Sequence, residues 1–64
     1  MTITYPITGD QLTTVAYLCK MAGVRPLCVV LNDSDVSIEF RSRDNAIRFT
    51  EEYVGSEDVS AYID

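Results

Sequence analysis

Ile3, Tyr5 and Ile7 alternate with Thr2, Thr4 and Pro6, the period of two that marks a half-buried strand. Pro6 has no N–H for a ladder bond, so it belongs at the strand's end or at a gap in pairing. Thr8-Gly9-Asp10-Gln11 has the form of a capping box, with the Thr8 hydroxyl accepting from an early helical amide while Gln11 reaches back. The period then becomes helical. Over residues 9–22, Leu12, Val15, Ala16, Cys19 and Ala22 make one stripe with Leu18 at its margin, and Gly23 supplies a left-handed stop.

The apolar run from Pro26 to Leu31, the turn residues Asn32-Asp33-Ser34-Asp35 and the alternating Val36 to Phe40 predict a hairpin over residues 26–41. If Leu31 faces Val36, then Val29 lies opposite Ile38 and Leu27 opposite Phe40, and all of these side chains share one face. Cys28, Val30, Ser37 and Glu39 take the other face. Ser42 caps a second helix whose stripe is Ala46, Phe49, Thr50 and Tyr53, flanked by Ile47 and Val54 and closed by Gly55. Val59, Ala61 and Ile63 alternate with Ser60 and Tyr62, which predicts a last strand with Tyr62 on the open sheet face.

The order is β-α-β-β-α-β over one domain, residues 1–64. Right-handed crossovers then give an α+β, ferredoxin-like plan: a four-stranded antiparallel sheet in the order 4-1-3-2 with two helices on one face. A swapped or sandwiched dimer of the same elements is the structural alternative. With 64 residues the chain has room for one thin core, and no disulfide framework or metal motif reinforces it.

Ten acids against five bases leave a net charge of −5, which argues against nonspecific binding to nucleic acid or anionic lipid. A basic protein, or one that itself holds DNA or RNA, is the better partner. Met1-Thr2-Ile3-Thr4-Tyr5 lacks the basic start of a secretion signal, and no apolar stretch approaches the ~20 residues that span a bilayer. Cys19 and Cys28 could form at most one bridge. These features predict a reducing, cytoplasmic setting.

Candidate chemistries fall away in turn. Residues 33–40 occupy the place of the RNA-recognition motif in modules of this plan, with Phe40 in its last aromatic position. Asp33, Asp35 and Ser37 stand where a basic residue and base-stacking rings are needed. Metal-binding relatives of the plan use two thiolates spaced C-x-x-C, whereas Cys19 and Cys28 lie far apart and the chain has no histidine. Arg43 and Asn45 invite comparison with acylphosphatases, but that family's glycine-rich phosphate cradle is missing. Without histidine or an activated nucleophile the chain is expected to be no enzyme and to need no cofactor.

The predicted topology sorts the charges. Asp10, Asp33, Asp35, Glu51, Glu52, Glu57 and Asp58 collect at one end, and Lys20, Arg25, Arg41 and Arg43 at the other. Glu51 and Glu52 oppose the macrodipole at a helix C-terminus, which costs about 0.3 kcal/mol or more each. Closely spaced carboxylates imitate a phosphate backbone to a protein built to grip DNA. In size, charge and fold plan, and in no motif, the chain resembles small acidic phage-encoded inhibitors of host machinery, anti-CRISPR proteins among them. The resemblance implies a non-enzymatic DNA mimic that binds a nucleic-acid-handling host protein, in the host cytoplasm, as a monomer or weak homodimer. A second candidate surface is apolar, formed by Tyr17 and Met21 on the first helix and by Val30 and Tyr62 on the sheet. It suits a regulatory, ACT-like module that binds a metabolite or pairs with itself through the open sheet.

Overall fold

A computed structural model of the chain describes residues 1–55 and 58–63. Strand β1 (Thr2–Tyr5) is followed by helix α1 (Gln11–Ala22), the hairpin β2 (Cys28–Leu31) and β3 (Val36–Glu39), helix α2 (Arg43–Val54), and a 3-10 turn at Val59–Ala61. β3 lies at the centre of a three-stranded antiparallel sheet in the order β1-β3-β2. Ile3 pairs with Ile38 and Tyr5 with Val36 on one side of β3, and Val29 pairs with Ile38 and Leu31 with Val36 on the other. The hairpin register follows the alternation of the sequence, because a slip of one residue would turn every buried side chain to solvent.

Both helices cover the sheet face that carries Ile3, Tyr5, Val36, Ile38 and Phe40, and they close the core with Val15, Leu18, Ala46 and Phe49. The Ser42 hydroxyl accepts from the Asn45 amide at 3.2 Å and starts α2. Gly23 and Gly55 end the two helices at φ of 70° and 73°, a left-handed geometry that favours glycine.

The fold is α+β, but the sheet has three strands and not the expected four. Residues 59–63 make no strand: the Val59 carbonyl accepts from both the Tyr62 and the Ile63 amides at 3.0 Å. A strand would have sent Tyr62 and Ile63 to opposite faces. The turn instead stacks Tyr62 on Tyr5, with ring centroids 5.3 Å apart, and leaves Ile63 buried. Burying both side chains outweighs one more edge ladder in so thin a core.

The start of α1 also differs from expectation. Asp10, not Thr8, is the N-cap, its carboxylate accepting from the Thr13 amide at 3.3 Å. The Gln11 side chain does not complete a capping box. Its Nε2 donates to the carbonyls of Ile7 and Asn32, both at 2.7 Å, and of Asp35 at 3.1 Å. Fastened to the hairpin in this way, α1 turns inward the stripe Gln11, Val15, Leu18 and Ala22. Leu12 is left 65% exposed and Ala16 is exposed as well, although both were expected in the core.

Candidate protein-binding surfaces

Two side-chain anchors decide which charges share an end. Gln11 ties the beginning of α1, beside Asp10, to the hairpin carbonyls of Asn32 and Asp35. Tyr5, opposite Val36 at the hairpin end of β1, takes Thr50 and Tyr53 from the last two turns of α2. The hairpin tip with Asp33 and Asp35, the α1 start with Asp10, and the α2 end with Glu51 and Glu52 therefore lie at the same end. Asp58 opens the 3-10 turn shortly after Gly55 and is exposed. Glu57 lies outside the described residues. Lys20 in the last turn of α1, Arg25, Arg41 and Arg43 belong to the opposite end, and all four are exposed.

The acids do not have equal roles. Asp10 caps α1, and the Asp35 carboxylate accepts from the Asn32 amide nitrogen at 2.7 Å, so both serve local geometry. Asp33, Glu52 and Asp58 are exposed and engage no side-chain partner among the described residues. They are the carboxylates available to another molecule.

The apolar candidates separate. Tyr17 and Met21 are exposed one turn apart on α1, and Val30 is half exposed on the open face of the sheet. Tyr62 is not on that face. It packs against Tyr5 and Tyr53 on the helix side, within an aromatic cluster that also holds Phe49 and Phe40. The open face bears a shallow depression of about 130 Å³ lined by Thr2, Cys28, Val30, Ser37 and Glu39. Ligand pockets usually run from ~300 to 1,000 Å³, so this hollow suits at most a side chain or a few waters.

Titratable groups in the core are phenols and a thiol. Burial pushes the Tyr5 phenol up to about 12. Burial also raises Tyr53 and Cys19. A raised thiol is a less reactive one, so Cys19 behaves as a small core residue. Cys28 is exposed on the other side of the sheet. Among the described residues no group of three or more potential metal ligands comes together, and no helix is long and apolar enough to cross a membrane.

Two features escaped the sequence pattern. Gln11 reads as a capping residue, yet it latches two elements. The residues pointing to the helix side from β2 and its approach remain exposed, Leu27 at 51% and Leu31 at 47%. Comparison with protein-family models, with curated proteins and with solved structures finds no match for the chain.

Proposed function

We propose that the protein acts by stoichiometric binding and not by catalysis, with its acidic end docked on the basic groove of a protein that handles nucleic acid. In this role it is an inhibitor, a DNA mimic of the anti-CRISPR kind, that displaces the nucleic acid by occupying its site. The observation that carries the reading is the double anchoring by Gln11 and Tyr5, which brings the α1 start with Asp10, the hairpin tip with Asp33 and Asp35, and the α2 end with Glu51 and Glu52 to one end of the fold. Preorganised charge matters here, because a flexible acidic tail would lose binding energy to ordering. The small hollow on the open sheet face offers less support to the metabolite-binding alternative.

The test is competition. Labelled duplex DNA bound to an RNA-guided effector complex is titrated with the protein while fluorescence anisotropy is followed. Displacement is expected to weaken steeply between 50 and 200 mM salt, by roughly tenfold or more, as for any ligand that replaces phosphates. The double change Asp33→Lys and Glu52→Lys should abolish it. Displacement that ignores both salt and charge reversal overturns the proposal, as does failure to displace DNA across a panel of such effectors.

A further inference from the structure

β2 is a bare edge. The Asn32 amide donates to the Asp35 carbonyl at 3.0 Å, which makes that pair the bonded one closing the hairpin. Bonded and non-bonded pairs alternate along an antiparallel ladder, so Val30 with Ser37 and Cys28 with Glu39 are bonded in turn. Val29 and Leu31 must then aim their N–H and C=O groups away from β3, into solvent. Natural edges are blunted by lysine, proline, bulges or inward charges. Between Cys28 and Leu31 there is none of these side chains, and Leu27, Val30 and Leu31 are each about half exposed, on both faces of the strand. Pro26 stands two residues before β2, outside the strand, whereas the opposite edge, β1, displays Thr2 and Thr4 and runs directly into Pro6.

We infer that this edge pairs with β2 of a second copy of the chain, antiparallel about a two-fold axis, to make a continuous six-stranded sheet. A second copy is favoured over an unrelated strand because the edge is self-complementary. A two-fold axis perpendicular to the sheet preserves faces, so only partners of like parity can meet. Centred on Val29, the ladder sets Cys28 against the partner's Val30; the Leu27 N–H stays in its own chain, on the Glu39 carbonyl at 2.7 Å, so Leu31 meets the partner's Leu27 through its side chain only, apolar against apolar. Centring on Val30 would instead oppose Cys28 to the partner's Asn32. The antiparallel arrangement also brings the end carrying Arg25 beside the partner's hairpin tip with Asp33 and Asp35, so opposite charges flank the seam at both ends. An edge of four residues is small against a standard interface, so the dimer is weak and depends on concentration.

Sedimentation velocity over a concentration series measures this, and a reversible shift towards twice the monomer mass is expected. Leu31→Lys, at an exposed position outside the core, should raise the dissociation constant about tenfold or more, because symmetry counts the charge twice. Val30→Cys provides an independent arm. In the register centred on Val29 its thiol faces the partner's native Cys28 in a non-bonded pair, about 4.5 Å between Cα atoms and within disulfide reach. Oxidised glutathione should then yield a covalent dimer on a non-reducing gel, lost when Cys28→Ser is added. A chain that stays monomeric up to the order of 1 mM, a dimer indifferent to Leu31→Lys, or no cross-link from Val30→Cys would each overturn the inference. Competition for DNA by the Leu31→Lys protein reads the acidic end separately, so failure of one idea leaves the other standing.

Discussion

The Tyr5 hydroxyl lies 2.6 Å from the Thr50 hydroxyl in the buried core and is its hydrogen-bond donor. Direction follows from proton count: Thr50 has one hydroxyl proton and directs it to the Ala46 carbonyl at 2.8 Å, leaving a lone pair for Tyr5. The two partners are therefore not equivalent to mutation. Tyr5→Phe keeps Thr50 satisfied and should cost about 1 kcal/mol, whereas Thr50→Val strands a buried phenol and should cost about 1–3 kcal/mol. Urea unfolding of both variants measures the difference, and equal losses would contradict the assigned direction.

High pH tests the same pair. Tyr5 is lifted from its ordinary value of 10 to about 12 by burial. Above pH 10 the unfolded chain releases the phenolic proton while the folded one retains it, so stability is full below pH 10 and falls as pH rises through about 12. The loss is roughly 1–3 kcal/mol from this group. Ultraviolet titration of tyrosinate with parallel circular dichroism should show part of the absorbance change arriving only as the fold is lost. Tyr5→Phe should flatten the alkaline decline.

The two Nε2 protons of Gln11 are shared among three backbone carbonyls, an arrangement that accepts a donor and repels an anion. Gln11→Ala is expected to cost about 1 kcal/mol through the lost latch. Gln11→Glu should cost more, because it aims negative charge at carbonyl oxygens, and its deficit should shrink in acid as the carboxyl is protonated. Denaturant midpoints at neutral and acidic pH separate the two variants.

Ile63 is buried although it stands beside the last residue of the chain. Ile63→Ala should remove about 2–4 kcal/mol, most of what a core of this size supplies. Far-ultraviolet circular dichroism at 25 °C should find it largely unfolded. A variant as stable as the parent would show that the C-terminal turn does not belong to the core.

Local chemistry was legible at the start of α2, at both helix stops and in the hairpin turn, but not at the start of α1, where Asp10 and not Thr8 is the cap. Ser42 caps α2, Gly23 and Gly55 stop the helices, and the turn at Asn32 to Asp35 sets the hairpin register, because each acts on its own backbone within a few residues. The candidate surfaces were legible only in part. The gathering of acids at one end follows from element order, but the anchors that hold it, Gln11 and Tyr5 with Thr50, join residues as much as 45 positions apart.

The first five elements, the cap of α2, the hairpin register and the charge were thus written in the order of residues along the chain, since they depend on neighbours and on a repeating period. The number of strands, the face of α1 that turns inward and the exposure of β2 were decided only when the pieces competed for one small core. Tyr62 and Ile63 both gain burial by abandoning a strand, Gln11 rotates Leu12 out, and two short helices are too few to cover three strands. A period of two records that side chains alternate, but whether a neighbouring strand offers a ladder, or an aromatic cluster offers a better place, is settled by the free energy of the whole fold.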